Sequence, residues 1–473
     1  MGNDDLPSGW ARTDLATIIE EAQPGFACGE RDESGYVQLR MNNIGLSGNV
    51  VLNSTLRIPK NLTNLAKYGL RKDDVIFNNT NSAELVGKTV LFKGELQDTV
   101  YSNHLTRLRV RAGVVYPEWV TWLLVYEQLS GTFERMCHRF VGQASVSRSD
   151  LLRLPVRLPP YAEQIRIATK IEGLFQDLAT IREIVQKVPS MVKQLRYSLL
   201  AKAFRGEVTE QNSEDEPVAK VIERLRQEKS QDFNLEKDHS ADAFLDEIPD
   251  RWKSIELGAL VKDVKNGLYP RKNLKGPRCV ILRIQDMQNG VINTAGLLRQ
   301  RVTEEEFRQF KLQPGDIILD RVNAGINLVG KVAIFDLNED AVFNYHLMRI
   351  RVRETVANPR FLKYFLETPA ARRYIEDVSV STAGQNSINQ KQLAALVVPI
   401  APMEEEKRIV NSLDSMLSHC NMILQQASQV EDISASLEQS ILAKAFRGEL
   451  VPQYSREEAA SLTLERTKKS SRA

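Results

Sequence analysis

Two stretches of the chain approach the pattern of a nucleotide-binding P-loop, G-x-x-x-x-G-K-[ST]. "GINLVGKV" contains Lys331 and ends in Val332, whereas "SAELVGKT" opens with Ser82 and contains Lys88, so each stretch lacks one required residue. A P-loop must also lead into the N-terminus of a helix, where backbone N–H groups converge on the phosphate. The residues that follow, "TVLFKGEL" and "VAIFDLNE", predict strands instead. A nucleotide site is therefore not indicated, and the informative feature is that the stretch occurs twice.

Other catalytic patterns fail in the same way. "RLPPYAEQ" is close to the [DNS]-P-P-[YF] motif of amino-methyltransferases, but Leu158 has no side-chain acceptor for an amino group, and the later copy, "PIAPMEEE", lacks the motif. The chain has no G-x-G, its four cysteines lack C-x-x-C spacing, and its five histidines are separate. His104 and His346 are predicted to lie within strands in structural roles. We predict no catalytic residue and no metal site, and an autonomous nuclease or nucleotide-dependent enzyme is the weaker alternative.

The composition is that of an ordinary globular protein, with 42% apolar and 26% charged residues. A chain of 473 residues is long enough for about two to four domains. The formal net charge is +2, so nucleic-acid binding would have to come from local patches. The N-terminal "MGNDDLPSGW" has no apolar signal-peptide region, and no apolar run is long enough to span a bilayer. We expect a cytoplasmic protein with no membrane partner.

The chain contains one long internal repeat. Trp10 in "LPSGW" and Trp252 in "IPDRW" stand 242 positions apart. The same offset relates "HLTRLRVR" to "HLMRIRVR", "VGQAS" to "AGQNS" and "LLAKAFRGE" to "ILAKAFRGE". The repeated unit of about 205 residues is too long for a solenoid repeat and long enough to fold as a domain.

Each copy divides into a β-rich part, with short β-like runs and turn glycines, and a long helical part. The predicted segments are a β-rich domain at 6–154, a central helical spacer at 155–208, a polar linker with at most one solvated helix at 209–247, a second β-rich domain at 248–396, a distal helical spacer at 397–453 and a basic flexible tail at 454–473.

The helical parts carry apolar residues at alternating steps of three and four, the a/d pattern of a coiled coil. The first seam consists of Ile171, Leu174, Leu178, Ile181, Val185, Val188, Val192, Leu195 and Leu199. The second consists of Leu413, Met416, Cys420, Ile423, Ala427, Val430, Ser434, Leu437 and Ile441, and is weakened at Ala427 and Ser434. We predict two helices of about 44 residues, roughly 66 Å long, that pair with each other, with a kink at Pro189. If they run antiparallel, the two β-rich domains lie at opposite ends, related by a pseudo-twofold axis. In the alternative, each helix packs only on its own domain.

Three duplicated features could contact a polyanion. The first is a strand on which period-two alternation places arginines on one face, although a solvated outer face explains the pattern equally well. These arginines are Arg107, Arg109 and Arg111 in the first copy, and Arg349, Arg351 and Arg353 in the second. The second feature is a polar loop whose amides and cations are of the kind that read base edges and hold phosphates. It contributes Asn78, Asn79, Asn81, Lys88, Arg321, Asn323, Asn327 and Lys331.

The third feature is the pair "LRMNN" and "LRIQD", together with the basic, turn-rich stretch "NGLYPRKNLKGPR". The candidates here are Arg40, Asn42, Asn43, Tyr269, Arg271, Lys272 and Arg283. We add Gln143, Gln385 and Asn386 from the repeated "VGQAS" and "AGQNS". A polar loop that occurs once is common in proteins without any binding role. These loops are candidates for DNA binding because they occur in both copies.

Several of these segments resemble one known family. The opening "LPSGW", the strand "GDIIL", the helix start "PPYAEQIRIATKIE" and the helix end "SLLAKAFRGE" are similar to the specificity (S) subunits of type I restriction–modification systems, almost from end to end. "QSILAKAFRGELVPQ" is especially close to the enteric-type branch of that family.

The resemblance implies an α+β fold, in which a β-rich α/β target recognition domain followed by a long helix occurs twice. The helices would pair as an antiparallel coiled coil with pseudo-twofold symmetry. Each recognition domain would read one half of a split double-stranded DNA target, and the helices would set the spacing between the halves.

The resemblance also implies a non-catalytic subunit that acts in defence against foreign DNA. It would dock two methyltransferase (M) subunits and two restriction (R) subunits. The chain itself would bind no cofactor, because S-adenosylmethionine, ATP and Mg are expected on the partner subunits. The alternatives are a specificity subunit for a fused nuclease–methyltransferase and a coiled-coil adaptor without a DNA role.

Overall fold

The computed structural model describes residues 6–46, 48–228, 248–269, 271, 274–288, 290–382 and 384–470. Two compact units are formed: unit 1 combines Met1–Gln186 with Ser428–Ala473, and unit 2 is Lys187–Ala427. Each unit therefore contains one β-rich domain and a part of both long helices.

The elements of the first copy agree with the predicted β-rich domain and long helix. Its strands are β1 Ala11–Asp14, β2 Ile19–Pro24, β3 Tyr36–Leu39, β4 Leu56–Ile58, β5 Asp74–Asn78, β6 Thr80–Asn81, β7 Thr89–Phe92, β8 Thr99–Tyr101, β9 Leu105–Val110, β10 His138–Phe140, β11 Gln143–Ser145 and β12 Pro155–Leu158. Its helices are α1 Leu15–Ile18, α2 Leu65–Tyr68, α3 Pro117–Leu129, α4 Thr132–Met136, α5 Arg148–Leu152, α6 Tyr161–Ala203 and α7 Val218–Glu228.

The second copy repeats this order. Its strands are β13 Lys253–Glu256, β14 Val261–Asn266, β15 Arg278–Leu282, β16 Met287–Gln288, β17 Val291–Ile292, β18 Arg299–Arg301, β19 Ile317–Asp320, β20 Val322–Asn323, β21 Val332–Ile334, β22 Ala341–Phe343, β23 Leu347–Val352, β24 Val380–Thr382, β25 Gln385–Ser387 and β26 Val397–Ile400. Its helices are α8 Leu257–Leu260, α9 Glu304–Phe310, α10 Pro359–Leu366, α11 Pro369–Val378, α12 Gln390–Ala394, α13 Met403–Phe446 and α14 Ala460–Ser470.

The central sheet of each domain has four antiparallel strands, in the order β2-β9-β5-β7 in unit 1 and β14-β23-β19-β21 in unit 2. The middle strand β5 is buried along its whole length because both of its faces are covered. Val75 and Phe77 belong to one apolar cluster, whereas Ile76, between them, belongs to another. A continuous apolar run is what a strand covered on both faces requires.

The strands predicted after the two P-loop-like lysines are confirmed. β7 and β21 begin directly after Lys88 and Lys331, so the chain continues into a sheet at the point where a P-loop would enter a helix. His104 and His346 are placed one residue before β9 and β23, so the prediction that they lie within strands was wrong by that one position.

The boundary between domain and helix also differs slightly from the prediction. β1 pairs with β12, and β13 pairs with β26. Residues 155–158 and 397–400 therefore belong to the domain sheets rather than to the helical spacers. The long helices begin after these strands, and α6 continues without interruption through Pro189. No helix in the described ranges combines the length and the apolar character needed to cross a bilayer.

The long helices run antiparallel to each other within each unit. In unit 1, Arg182 Nη1 donates to Glu438 Oε1 at 2.5 Å, and Ile171 shares an apolar cluster with Ile441. In unit 2, Arg196 Nη1 donates to Asn421 Oδ1 at 3.4 Å. Residues later in α6 therefore meet residues earlier in α13, which confirms the predicted antiparallel pairing.

The predicted seam is mostly buried at one heptad position and half-buried or exposed at the other. Ile171, Leu178, Val185 and Val192, which are seven residues apart, are buried, whereas Ile181 and Leu195 are 42% and 45% exposed. In α13, Leu413, Cys420, Ser434 and Ile441 are buried, whereas Ile423 and Leu437 are exposed. Ile171 and Leu178 belong to the apolar cluster of unit 1, which also contains residues of the β-rich domain and of α13. Pairing between helices and packing on the domain therefore occur together.

Two short helices correct the prediction of a solvated linker and a flexible tail. In α7, Val218, Val221, Ile222 and Leu225 are buried in the core of unit 2. In α14, Ala460 and Leu464 are buried in the core of unit 1. Ile222 and Leu464 are separated by the repeat offset, so these helices are part of the repeat. The region predicted as linker beyond residue 228 and the last three residues lie outside the described ranges.

Candidate nucleic-acid interface

In unit 1, the predicted polar loop lies beside a small three-stranded sheet. β6 pairs with β11, with Asn81 opposite Ala144, and β11 forms a hairpin with β10. Gln143, at the start of β11, is exposed. Asn79 is held in place because its Nδ2 donates to Thr80 Oγ1 at 3.1 Å. The structure thus joins two predicted features, the polar loop and the "VGQAS" turn, in one surface.

Unit 2 contains the same arrangement. β20 pairs with β25, with Asn323 opposite Asn386, and β25 forms a hairpin with β24. Asn386 Nδ2 donates to the carbonyl oxygen of Ala324 at 2.9 Å, which fixes the loop against the hairpin. Gln385 and Asn327 are exposed. Each domain therefore carries an amide-rich surface that is held on a sheet.

An aromatic stack borders this surface in unit 2. Tyr269 is 69% exposed and stacks on Tyr345 with ring centroids 3.9 Å apart. Tyr345 also packs on His346, and Arg321 Nη1 donates to the carbonyl oxygen of Tyr345 at 2.9 Å. Burial lowers the pKa of Arg321, and burial and the charge of Arg321 lower the pKa of His346, so the fold favours the neutral imidazole. An exposed ring beside a guanidinium is suited to stacking on a base.

Unit 1 has an exposed apolar tip instead. Phe140 is 65% exposed and Val141 is fully exposed at the turn between β10 and β11. The repeat positions of Tyr269 and Tyr345 are occupied by Ala27 and Asn103. The sequence prediction missed the tip, although apolar residues directly before the turn glycine in "RFVGQ" were a visible signal.

The arginines of the predicted strand face are bonded within their own domain. Arg107 is buried, and its Nη2 donates to Glu21 Oε1 at 2.6 Å. Arg109 Nε donates to Asp74 Oδ1 at 2.8 Å, and its Nη1 donates to Glu21 Oε2. The side chain of Arg111 donates to the carbonyl oxygen of Thr17. The alternation placed Arg107 and Arg109 together, as predicted, but two carboxylates cover them.

The second copy repeats the same ion pairs at the repeat offset. Arg349 is buried and its Nη2 donates to Asp263 Oδ2 at 2.6 Å, while Arg351 Nη2 donates to Asp316 Oδ2 at 2.6 Å. Arg353 donates to the carbonyl oxygen of Val261. In both copies the paired arginines are therefore held by carboxylates of the same domain, an arrangement that neither sequence interpretation included.

The two loop lysines differ in their surroundings. Lys88 Nζ donates to the carbonyl oxygens of Met41 and Ile44, at 3.0 and 2.7 Å, and burial lowers its pKa. Lys331 is exposed. A phosphate-contact role therefore fits Lys331, whereas Lys88 holds a neighbouring turn.

Asn78 and Asp320 occupy equivalent buried positions at the base of the two polar loops. Asn78 Nδ2 donates to the carbonyl oxygens of Thr80 and His104, and Asn78 Oδ1 accepts from Asn81. Asp320 Oδ2 accepts from Asn323 at 2.8 Å, but its buried Oδ1 has no hydrogen-bond partner. Burial raises the pKa of Asp320 to about 6. Both residues are buried too deeply to reach a base and instead position the loop.

The third predicted feature is mostly structural. Asn43 is buried, with Nδ2 donating to the carbonyl oxygens of Val51 and Ser54. Arg283 pairs with Asp286, and Arg271 pairs with Glu306. Arg40 is half-buried and Asn42 is exposed. Lys272 lies outside the described residues.

Comparisons with known proteins agree with this architecture. Residues 249–431 match the family model described as the type I restriction modification DNA specificity domain. The chain is 26% identical over 466 residues to the type I restriction enzyme StySPI specificity subunit of Salmonella potsdam, which covers 96% of this chain and 92% of the relative. It is 25% identical over 471 residues to the EcoKI specificity subunit of Escherichia coli K12, with the same coverage.

Two solved structures share the fold. A chain from a structural study of complex assembly and conformational transition in the type I R-M system superposes with a TM-score of 0.67 at 21% identity, covering 94% of this chain and all of that chain. The HsdS subunit from Thermoanaerobacter tengcongensis superposes with a TM-score of 0.58 at 20% identity, covering 95% of this chain and 99% of that chain.

Proposed function

We propose that the chain is a type I restriction–modification specificity subunit, and that its two domains each read one half of a split DNA target. Each unit has an amide-rich surface that is built from the polar loop and the neighbouring hairpin, and the proposal is based on this pair of surfaces. Side-chain amides pair with the edges of bases in the major groove, and a rigid sheet fixes their register.

The two surfaces differ in ways that imply different half-sites. Unit 2 offers the ring of Tyr269 and the guanidinium of Arg321, whereas unit 1 offers Phe140 and Val141 beside Gln143. The two groups favour different base edges. Only the group in unit 2 contains a cation that can donate charged hydrogen bonds to a base. We therefore propose a target whose two halves are unrelated in sequence.

The long helices are proposed to carry the partner subunits. Their paired side buries one row of the seam, and the other row leaves Ile181, Leu195, Ile423 and Leu437 exposed. Exposed apolar rows of this kind are typical of a surface that a partner protein covers. Two methyltransferase subunits would dock there, and two restriction subunits would join them. S-adenosylmethionine, ATP and Mg would be bound by those partners, and the chain itself would be non-catalytic and act in the cytoplasm, where the DNA is.

The test is co-expression with the methyltransferase subunit encoded beside this chain, followed by single-molecule sequencing of the host DNA. We expect methylated adenines in a split motif with a fixed unspecified spacer. Exchange of residues 6–158 for those of another specificity subunit should change one half of the motif and leave the other half and the spacer unchanged. A continuous motif, or a change in both halves, would contradict one domain per half-site.

The same experiment separates the alternatives. Methylation that requires a fused nuclease–methyltransferase, and does not occur with a separate methyltransferase subunit, would identify the fused system. A stable complex that methylates no specific sequence would identify an adaptor without a DNA role.

A further inference from the structure

A cavity of about 700 Å³ in unit 2 lies between the recognition domain and the spacer helices. One wall is the end of the polar loop, with Asn327 and Lys331, and another is the α6 segment with Lys193, Arg196 and Tyr197. Lys193 and Tyr197 are exposed at the α6 wall. Its volume is within the range of ligand sites.

The charges of the cavity are unbalanced. Its lining contains four cations, Lys193, Arg196, Lys331 and Arg372, and a single carboxylate, Glu367. Glu367 Oε1 accepts from Lys363 Nζ at 3.0 Å, and its Oε2 lies 3.9 Å from Arg196 Nη2, so this one carboxylate is shared between two cations. The cavity therefore favours an anion.

Arg372 has no carboxylate within hydrogen-bond distance among the described residues, although the charges of Glu376 and Asp320 act on it. Its Nη2 donates to the carbonyl oxygen of Asn327 at 2.8 Å, and its buried Nη1 has no hydrogen-bond partner. The nearest carboxylate, of Glu376, is 4.0 Å away. Burial lowers the pKa of Arg372, which reflects the free-energy cost of a half-buried charge. A Cβ on Gly330 would lie 2.6 Å from Nη1, so a glycine is needed for this approach.

Arg196 is available for a further contact. Its hydrogen bond to Asn421 is long, at 3.4 Å, and its distance to Glu367 Oε2 is 3.9 Å. In unit 1 the equivalent helix position is Glu438, which is fully engaged with Arg182. The equivalents of Lys193 and Arg372 are Ala435 and Ser130. The cationic lining is therefore specific to unit 2 and is not a general feature of the repeat.

We propose that this cavity binds a phosphate group of the DNA backbone, held by Arg372, Arg196 and Lys193, with Lys331 closing it from the loop. The inference rests on the proposed function, because it assumes that the polar loop of unit 2 faces DNA. The phosphodiester is favoured over a free anion because Lys331 and Asn327 belong at once to this cavity and to the loop of the recognition surface. The spacer helix thereby contributes directly to DNA affinity.

The test is the salt dependence of duplex binding by the complex of the full chain with its methyltransferase subunits. The variant K193Q/R196Q should weaken binding about tenfold near 0.1 M salt and reduce the slope of log K against log[salt] by about 0.9, the amount expected for one phosphate. K170Q, which removes an exposed cation from the same helix outside the cavity, is the matched control and should leave the slope unchanged. An equal effect of K170Q, or no effect of K193Q/R196Q, would overturn the proposal.

A second arm identifies the phosphate. Single methylphosphonates are placed in turn along the DNA, and we expect one of them to weaken binding by the wild-type complex but not by K193Q/R196Q. If every methylphosphonate weakened binding by the variant as much as binding by the wild type, the proposed contact between the cavity and a DNA phosphate would be contradicted. If the double variant is unstable, Lys331→Gln in the exposed loop gives the same readout.

The source of the phosphate and the proposed function are tested separately. Calorimetric titration of the complex without DNA uses inorganic pyrophosphate. Saturable binding that K193Q/R196Q abolishes, with an unchanged DNA slope, would assign the cavity to a small anion and overturn the proposal. The methylated motif of the variant should be the same as that of the wild type. If the wild-type complex methylates no split motif, the proposed function fails, whatever the cavity binds.

Discussion

Unit 1 and unit 2 keep the same ion pairs inside the domain and differ in the loop beside it. Arg107 and Arg349 are both buried against a carboxylate, and the carboxylates Glu21 and Asp263 are themselves separated by the repeat offset. In the loops, by contrast, Lys88 is bonded to two carbonyl oxygens, whereas Lys331 is exposed. The two copies are therefore alike in the domain interior and different in the polar loop. Experiments that compare equivalent positions are therefore more informative than single substitutions.

The largest expected effect concerns the shared interior. R107A in unit 1 and R349A in unit 2 should each lower the stability of their own unit by about 3 kcal/mol. Each removes a buried guanidinium, and the backbone carbonyl oxygens of Gly69 and Lys311, respectively, lose a charged hydrogen-bond donor. Hydrogen exchange, followed by mass spectrometry of peptides from each unit, measures the two effects separately. R148A and R373A, which remove exposed arginines, are the controls. Reduced DNA affinity with unchanged exchange protection would show instead that these arginines contact DNA.

Much of the fold follows from the sequence because it depends on local patterns. The repeat offset, the helix lengths and the strands after Lys88 and Lys331 were visible as periodicity and composition. Helix α7 was also visible, since Val218, Val221 and Ile222 have helical spacing, but the surrounding charges led to the prediction of a solvated helix. Whether an amphipathic helix is buried depends on the surface that covers it, and that surface is distant in sequence.

The functional surface was less predictable for the same reason. Period-two alternation placed Arg107 and Arg109 on one face, but Glu21 and Asp74, which neutralise them, lie on other strands. In the same way, Arg196 and Arg372 look like ordinary helix cations until the fold brings them to one cavity. Local sequence gives the chemistry of a side chain, whereas its availability is decided by long-range contacts.

The next largest effect is a pH dependence of stability that distinguishes Asp320 in unit 2 from Asn78 in unit 1. The folded-state pKa of Asp320 is raised to about 6 from 3.8, so its neutral form is the one that the fold favours. Its contribution to stability is fully present below about pH 4 and is lost as the pH rises through about 6. Wild-type unit 2 should therefore lose up to about 3 kcal/mol between pH 4 and pH 7 relative to D320N. The charges of Lys331 and Arg372 oppose the effect of burial and keep the pKa of Asp320 from rising further.

The converse substitution tests the equivalence of the two positions. N78D should destabilise unit 1 at neutral pH and give it the pH dependence of unit 2, because a carboxylate would replace the amide that donates to Thr80 and His104. Hydrogen exchange of each unit at a series of pH values is the measurement. Parallel profiles for wild type and D320N would show that Asp320 does not titrate in this range.

The smallest effect is expected from the two lysines and gives the sharpest contrast. K88Q removes a charged donor from the carbonyl oxygens of Met41 and Ile44, and should lower the stability of unit 1 by about 1–2 kcal/mol while leaving the salt slope of DNA binding unchanged. K331Q removes an exposed charge, and should reduce the slope by about 0.9 without changing stability. Thermal unfolding gives the stability of each variant, and DNA binding at a series of salt concentrations gives the slope of each. If both lysines changed the slope equally, the turn held by Lys88 would have to open when DNA binds, and the two units would use their loops in the same way after all.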